Sequence, residues 1–245
     1  MKIRNVSLQV AFLAWMLAGC VTPSYTNIVG TDRGVSTPSV RISGNWTGKD
    51  EARGAPSEWQ GGIGLEFESS RESGSASQQL SAGQDPVLFQ GTTFAGPQNL
   101  QHEFDFWFFS FMGRYRAIAA SPIPIGVEIL VGLGYPVFDL RVSSATQRAE
   151  DTLSYGGPTA AIGGVWIMQP GTNLHARYTA FNSVFNHDGY VLNVNRLEAF
   201  VTQTLGRHVA VRAGYGSWRM RANGDNRSDV YFKFSGPSLG LNLDF

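Results

Sequence analysis

Six charged side chains lie on one face of alternating segments, and their types suit ion pairs in a dry interior. They are Glu66, Glu68, Glu128, Arg177, Arg212 and Asp244. Apolar residues occupy the intervening positions, and alternate side chains of a strand point to opposite faces. Charges taken out of water must be paired. The pattern predicts a structural salt-bridge network, and the alternative is a narrow pore whose Glu–Arg pairs exchange partners.

Catalytic and metal-binding patterns are weak in this chain. The four histidines are His102, His175, His187 and His208, and no two of them have metal-ligand spacing. Ser183 and His187 bear a faint similarity to the catalytic pair of lipid A deacylase barrels, but that family's His-x-Ser motif is missing, since Ala176 and Arg177 follow His175. We therefore predict no enzyme activity, no catalytic residue, no metal site and no cofactor, with a lipid A-modifying enzyme as an alternative.

The first 20 residues read as an export signal. Lys2 and Arg4 precede an apolar stretch from Val6 to Met16, which is too short to span a bilayer. The stretch ends in Leu17-Ala18-Gly19-Cys20, which resembles the lipobox of bacterial lipoproteins. That resemblance implies cleavage between Gly19 and Cys20 and acylation of Cys20. Val21 stands where an aspartate would retain an enteric lipoprotein at the inner membrane, which favours the outer membrane.

Composition narrows the class of the remaining chain. The formal net charge is zero, so no basic field favours nucleic acid. Glycine (29 residues) and aromatic residues (12%) are plentiful among 245 residues, whereas charged residues make up only 16%. No run of 18 apolar residues follows Cys20, so no transmembrane helix is expected. We expect residues 20–56 to form a periplasmic tether and residues 57–245 an all-β domain.

Eight segments of this domain are long enough for tilted membrane strands, which need ~9–11 residues. Five alternate cleanly: 59–68, 125–135, 173–180, 208–215 and 238–245. Glu103–Tyr115 carries aromatics on both parities, which indicates either a bulge or an aromatic inner face. Tyr155–Met168 is rich in glycine and alanine, and the pattern of Val191–Thr204 indicates a change of phase near Asn195. Residues 38–47 are a candidate for an additional strand, with ten strands as an alternative count.

The connections between these segments alternate between long or polar stretches and tight turns. The long ones cover about 69–100, 143–154, 182–189 and 221–229. Outer-membrane barrels alternate in this way, with short periplasmic turns and long outer loops. The pattern predicts an eight-stranded, antiparallel, up-and-down transmembrane barrel. The first loop is the longest and contains Val87-Leu88-Phe89, so we expect an extracellular ligand at residues 70–99.

The last strand carries a family resemblance. Leu241, Leu243 and Phe245 alternate up to a terminal aromatic residue, as in the closing strand of small outer-membrane barrels. With eight strands, the chain resembles the OmpA-transmembrane-domain and OmpX class. The resemblance implies recognition of these residues by the barrel assembly machinery, contact with outer-membrane lipids, and a structural or surface-interaction role. A small transport barrel is the other alternative.

Overall fold

The fold was obtained as a computed structural model. It describes residues 25–26, 35–36, 39–47, 59–119, 124–169, 171–184, 190–206, 208–224 and 227–244. The first strands are β1 (Tyr25–Thr26), β2 (Val35–Ser36), β3 (Ser39–Thr47), β4 (Trp59–Leu80), β5 (Val87–Phe89), β6 (Thr92–Phe94) and β7 (Gln98–Ala119). They are followed by β8 (Ile125–Ser143), β9 (Arg148–Ser154), β10 (Gly157–Gln169), β11 (Thr172–Asn182), β12 (Tyr190–Thr204), β13 (Val209–Gly224) and β14 (Arg227–Asp244).

Eight long strands form a curled antiparallel sheet, which confirms the all-β prediction. These strands are β4, β7, β8, β10, β11, β12, β13 and β14, and each matches one predicted segment. The described residues contain no helix that is long and apolar enough to cross a membrane. The strands are longer than the sequence predicted, because β4 continues to Leu80 and β7 begins at Gln98, so that together they take up nearly half of the expected loop 69–100. The tip between them holds the short hairpin β5–β6, and β9 occupies most of the expected loop 143–154.

Strand β3 joins the same sheet, which answers the question that the sequence leaves open for residues 38–47. It pairs antiparallel with β4 and parallel with β14. Strand β2 also pairs parallel with β14, and β1 pairs antiparallel with β5 in the hairpin tip. Strands β2 and β9 also pair into this sheet, which therefore contains 11 strands among the described residues, so the full number exceeds both the predicted eight and the alternative of ten.

Burial alternates strictly along the long strands, and the buried and exposed sets define an inner and an outer face. On β7, every even position from Leu100 to Arg114 is buried. The aromatics on both parities of this strand therefore need no bulge, because Phe104, Phe106 and Phe108 face inward and Phe111 faces outward. The predicted phase change near Asn195 is wrong, since the even positions of β12 stay buried from Leu192 to Thr202.

The two ends of the sheet differ in their connections. At one end, here called the short-turn end, β7 leads into β8, β10 into β11, and β12 into β13. At the other, here called the hairpin end, β4 leads through β5 and β6 into β7, and the pairs β8–β9, β11–β12 and β13–β14 are joined.

The outer face carries an apolar belt in the half of each strand nearest the short-turn end. Its side chains point away from the interior, as the exposure of Ile63 (72%) and Leu133 (68%) shows. The belt comprises Ile63, Leu65, Phe67, Phe111, Tyr115, Ile125, Val127, Ile129, Val131, Leu133, Ile162, Trp166, Met168, Tyr178, Leu197, Val201, Val209, Tyr215, Leu239 and Leu241. Nearer the hairpin end the outer face turns polar, for example at Ser73, Asp105 and Arg219.

Candidate functional site

The inner face behind the apolar belt is charged. Five carboxylates and five guanidinium groups lie there, so their formal charges cancel. They are Glu66, Glu68, Glu72, Glu128, Glu198, Arg114, Arg116, Arg177, Arg196 and Arg212, and all but Arg116 are buried. We call this set the ionic layer. It comes from six strands, because each strand places its even or odd positions inward in register with its neighbours.

One half of the ionic layer is centred on Arg177. Its guanidinium group donates to both carboxylate oxygens of Glu66, with Nη2 to Oε2 at 3.1 Å. The same Nη2 donates to Oε2 of Glu128 at 3.1 Å. Arg116 binds the other oxygen of Glu128, with Nε to Oε1 at 2.7 Å. Two carboxylates thus share two cations, which is the pairing that buried charge requires.

The other half is centred on Arg196 and Glu68, whose side chains are fully buried. Arg196 forms a two-pronged contact with Glu68, in which Nη2 lies 3.2 Å from Oε2. Its Nε lies 3.3 Å from Oε2 of Glu198. Arg212 then links the two carboxylates, with Nη2 at 2.7 Å from Glu198 and Nη1 at 3.9 Å from Glu68. The four groups form a closed ring of alternating charge.

Aromatic rings contribute to the ionic layer. The imidazole of His175 stacks on Phe200 at 4.6 Å between ring centroids, and the guanidinium carbon of Arg212 lies 3.3 Å from the centroid of Phe200. A cavity of about 20 Å³ lies between these groups, Arg177 and Glu66. That volume has room for about one water molecule. Protein atoms therefore fill most of the space at this point of the ionic layer.

Above the ionic layer, toward the hairpin end, the inner face becomes apolar. Phe106 is the centre of this aromatic layer, with ring centroids of Trp218 at 5.1 Å, Phe234 at 5.5 Å and Phe138 at 6.2 Å. The layer comprises Phe104, Phe106, Phe108, Phe138, Phe181, Trp218, Phe232 and Phe234 with Leu140, Val142, Leu192, Val194 and Met220. The same cluster continues into the hairpin tip.

The hairpin tip covers the end of the aromatic layer. Val87, Phe89 and Phe94 are fully buried in this cluster, beside Leu80 and Leu100. The apolar segment that the sequence placed on an exposed loop therefore packs inward. The exposed part of the tip is polar, as at residues 81–86 and at Thr93.

Two contacts join the aromatic layer to the ionic layer. Trp218 donates its indole N–H to Oε1 of Glu72 at 2.9 Å. The guanidinium carbon of Arg196 lies 4.8 Å from the ring centroid of Trp218, which is the distance of a cation–π interaction. The charged and aromatic parts of the interior therefore form one packed structure.

His102 is a buried polar group at the hairpin end, beyond the apolar belt. Its Nε2 lies 3.1 Å from Oε1 of Gln78 on the neighbouring strand. Burial lowers the pKa of His102 from 6.5 to about 4, because the charged imidazolium loses its hydration. The ring is neutral at pH 7, and its protonation opposes the packing of this end of the sheet.

The predicted charge network can be compared with these positions residue by residue. Glu66, Glu68, Glu128, Arg177 and Arg212 all lie buried on the inner face and share ion pairs. The backbone of Asp244 ends β14, and its side chain lies outside the described residues. Of the predicted assembly signal, Leu241 is exposed on the outer face and Leu243 is half-exposed. Gly19, Cys20 and Phe245 lie outside the described residues.

The sequence reasoning missed half of the ionic layer. The missed residues are Arg196 and Glu198 on β12, Arg114 and Arg116 on β7, and Glu72 on β4. On β7 and β12 the missed charges share their parity with buried aromatic or aliphatic residues nearer the hairpin end, such as Phe108 and Val194. These charges would have been found by a search that looks for charged residues on one parity of each strand and accepts apolar residues at other positions of the same parity.

The serine and histidine of the enzyme alternative are not brought together by any described contact. Ser183 is buried, and its hydroxyl oxygen accepts a hydrogen bond from the backbone N–H of Leu192 at 2.8 Å. That contact closes the junction of β11 and β12. His187 lies outside the described residues, and His175 is stacked in the ionic layer. Within the described ranges, no group of three or more His, Cys, Asp or Glu side chains could hold a metal ion.

Comparison with known proteins adds no family to this picture. The chain matches no protein family, no curated protein and no solved structure. Its function therefore has to be argued from the two layers and the belt.

Proposed function

We propose that this chain is an integral outer-membrane β-barrel protein with a sealed interior and a structural or surface-interaction role. One observation carries the proposal: the two faces of the sheet exchange polarity along the strands. Behind the apolar belt the inner face holds the ionic layer, and beyond the belt a polar outer face covers the aromatic layer. A protein in water throughout would have its apolar side chains inside along the whole strand.

The height of the belt supports the membrane assignment. On β8 the outward apolar run extends from Ile125 to Val137, twelve steps along the strand, and Asp139 follows it. At ~3.3 Å per residue and a tilt of ~45°, twelve steps correspond to a belt ~28 Å high, close to the ~25 Å apolar band of outer-membrane barrels. The part of the sheet beyond the belt would then project into water at the hairpin end.

Two tyrosines at the border of the belt fit the same interpretation. Tyr178 donates its hydroxyl to Oδ1 of Asn195 at 2.7 Å, and the hydroxyl of Tyr215 bonds to that of Ser235 at 3.2 Å. Both partners lie one diagonal step toward the hairpin end. Aromatic rings at a membrane interface take this orientation, with the ring in the apolar region and the hydroxyl toward water.

The strand pairings support closure into a barrel. Strand β8 pairs with β7 on one side and with β10 on the other. From β10, each strand pairs with the next through β11, β12, β13 and β14. Strand β14 then pairs with β3, β3 with β4, and β4 with β7, so the path returns to its start. With β3 included the number of strands around this path is odd, so one adjacent pair must be parallel. The β3–β14 pair has that orientation over seven residues, Ser39 to Asn45. A closed sheet would leave no long edge exposed.

The packing of the interior favours a structural role over a pore. The ionic layer leaves a cavity of about 20 Å³, and the aromatic layer and hairpin tip cover the end above it. Narrow barrels of about this strand number have an interior that side chains fill. The engaged hydroxyl of Ser183 gives no support to the alternative of a lipid-modifying enzyme. We expect outer-membrane lipids and the barrel assembly machinery as partners, the latter through the terminal strand.

The course of the first strands bears on the lipid anchor. Strands β2 and β3 run parallel to β14, which leads from the hairpin end to the short-turn end, and β1 pairs with β5 in the hairpin tip. Tyr25 follows Cys20 by five residues, at most ~18 Å of extended chain. With the hairpin end outside the cell, these pairings favour an acylated Cys20 at the cell surface, where the sequence predicted a periplasmic tether.

Two measurements on the full chain test the proposal. A membrane barrel should run faster on an SDS gel before boiling than after boiling, and it should need detergent for extraction from outer membranes. A mobility that does not depend on heat, together with solubility in buffer alone, contradicts the membrane assignment. In planar bilayers the folded protein should give no channel steps, and steady conductance contradicts the sealed interior.

A further inference from the structure

Strand β3 fills a seam between two strands that could also pair with each other. It lies antiparallel to β4 and parallel to β14, so β4 and β14 run in opposite directions. At the middle of the seam, Ile42 stands opposite Ser69 on one side and opposite Leu241 on the other. If β3 were absent, β4 and β14 could close the sheet as an ordinary antiparallel pair, with Ser69 directly opposite Leu241.

Direct pairing of β4 with β14 would leave every side chain of these two strands on its present face. Even-numbered positions face inward on both strands, as the burial of Glu72 on β4 and of Ser238 on β14 shows. In the register that β3 sets, both of these residues stand opposite Ser39. Even positions would therefore meet even positions across the seam, and the pairing needs no slip of one residue.

The same register continues beyond β3 toward the hairpin end. There Phe234 on β14 would stand opposite Ala76 on β4, and both side chains are already buried on the inner face. At this height β14 now pairs with the two residues of β2. One continuous antiparallel ladder along β4 and β14 would thus replace the pairings of both β2 and β3.

The pairings that hold β3 in the seam are of the weaker kinds. Its ladder with β14 is parallel, and parallel pairs are slightly less stable per residue than antiparallel ones. Its sequence contains Gly44 and Asn45, and both residue types are depleted in strands. The chain before it adds two short ladders, β1 with β5 and β2 with β14. The form with β3 therefore has a close competitor in the form without it.

The residues that build the two interior layers belong to the long strands. The carboxylates and guanidinium groups of the ionic layer lie on β4, β7, β8, β11, β12 and β13, and their formal charges cancel. The aromatic layer is drawn from β7, β8, β11, β12, β13 and β14. A barrel of the eight long strands would be slightly narrower, and side chains fill the interior of a barrel of that size. Both layers could therefore pack in either form.

We propose that β3 is an optional strand and that the chain has two closed forms, one with β3 in the seam and one in which β4 and β14 pair directly. The inference rests on the proposed membrane barrel. With β3 in place, β1 and β2 lie at the hairpin end. Without it, the chain before Trp59 leaves β4 at the short-turn end. The two forms therefore place the lipid anchor at Cys20 on opposite sides of the bilayer, and the choice is made while the barrel assembles, because a polar segment crosses a formed bilayer only at high cost.

The test uses disulfides in the full chain, folded into lipid vesicles on a Cys20→Ser background. Leu241→Cys is combined with Ile42→Cys to report the form with β3, and with Ser69→Cys to report direct pairing. With β3 in place, Ser69 and Leu241 lie two strand spacings apart, ~9.6 Å, which is beyond the reach of a disulfide. Leu241→Cys with Phe109→Cys is the negative control, because Phe109 lies one strand beyond Ser69 and is out of reach in both forms.

Two proline variants change one neighbour of Leu241 at a time. Leu241 pairs with Ile42 on one side and with Val211 on the other, and proline removes a ladder hydrogen bond from either strand. Ile42→Pro should keep the heat-dependent gel shift and raise the yield of the Ser69–Leu241 disulfide ~10-fold, since the lost hydrogen bond disfavours only the form with β3. Val211→Pro should lose the gel shift, because β13 is part of both forms.

Each other outcome counts against one of the two proposals. Loss of the gel shift in Ile42→Pro, as in Val211→Pro, would show that closure requires β3 and would overturn the optional strand. A retained gel shift with no more Ser69–Leu241 disulfide than in the Phe109–Leu241 control would overturn it as well, because β4 and β14 would then not meet. A wild-type chain without the gel shift contradicts the membrane barrel itself, whichever disulfide forms.

Discussion

Arg196 offers the sharpest test of the buried ionic layer. Its side chain has no exposed surface, and it binds Glu68 and Glu198 while its guanidinium group covers Trp218. The substitution Arg196→Met keeps most of the volume of the side chain and removes the charge. Glu68 would then lose its two-pronged contact with Arg196, and its contact with Arg212, at 3.9 Å, is longer. Removal of one partner from a buried ion pair costs ~3–5 kcal/mol, since the remaining charge stays buried.

A matched exposed pair provides the control. Arg71 contacts Asp105 and lies over Trp107 at 4.9 Å, but its side chain is 51% exposed. Exposed pairs contribute little to stability, so Arg71→Met should leave unfolding nearly unchanged. Both variants replace a paired arginine that lies over a tryptophan ring by methionine, and their main difference is burial.

A double variant keeps the test decisive where Arg196→Met fails to fold. Glu68→Leu/Arg196→Met removes both members of the central pair and leaves Arg212 and Glu198 paired at 2.7 Å. Its stability should be higher than that of Arg196→Met alone, because no buried charge is left without a partner. A double variant that is less stable than the single one would refute the account of the pair.

The assay is unfolding by guanidinium in lipid vesicles, followed by tryptophan fluorescence and by the gel shift. Trp218 lies beside the substituted position and reports on it directly. If Arg196→Met and Arg71→Met lose the same stability, within ~1 kcal/mol of the wild type, the interior is open to water and the reasoning from a packed ionic layer is refuted.

Further predictions concern the hairpin end and the close approach of strands. Burial lowers the pKa of His102 to about 4. Between pH 4 and 6.5 the unfolded chain therefore binds more protons at this residue than the folded chain does. The free energy of unfolding should fall by up to ~3 kcal/mol as the pH falls through that window. His102→Gln should abolish this part of the pH dependence in amide exchange of the β4–β7 end, and an unchanged pH slope would exclude His102 as its source. Gly132→Ala should lower stability by ~1–3 kcal/mol or prevent folding, because the added Cβ would lie 2.0 Å from the carbonyl oxygen of Phe111. In Gly113→Ala, in the same hairpin, the added Cβ would lie 3.7 Å from its nearest atom, so the free energy of unfolding should change by ~0.5 kcal/mol at most. Equal effects of the two alanine substitutions would contradict the close approach of β7 and β8 at Gly132.

The strands themselves could be predicted from period-two alternation. The segment Ile125–Tyr135 carries apolar residues on one parity and mostly Gly and Glu on the other, and the structure places it in β8 with Ile125, Val127 and Ile129 exposed. The alternation of side chains is enough to predict the strand and its two faces, because this inference does not depend on which strand lies beside it.

Alternation did not predict that the inner and outer faces exchange polarity along the strands. On β12, the inward side chains change from Leu192 and Val194 to Arg196 and Glu198, while the outward ones change from Asn195 to Leu197. A search for alternating apolar residues interprets this change as a one-residue bulge in the strand, because the apolar side chains move from even to odd positions. The physical cause is a change of surroundings along one strand, which alternation does not encode.

Long-range pairing accounts for the remaining differences. The local sequence does not indicate that Val87 and Phe89 fold inward over the aromatic layer, or that β3 lies between β4 and β14. Residues 38–47 have an alternating pattern, but β14, with which β3 pairs, lies at the opposite end of the chain. Such contacts depend on the geometry of the whole sheet.

Lipid exposure along β8 tests the central claim most directly. Single cysteines placed at Val127, Val131 and Asp139 on a Cys20→Ser background can carry spin labels, because Cys20 is the only native cysteine. In vesicles, labels at 127 and 131 should be accessible to oxygen and protected from a water-soluble nickel reagent, and the label at 139 should show the reverse. Equal access of the nickel reagent to all three positions would contradict a membrane-embedded belt.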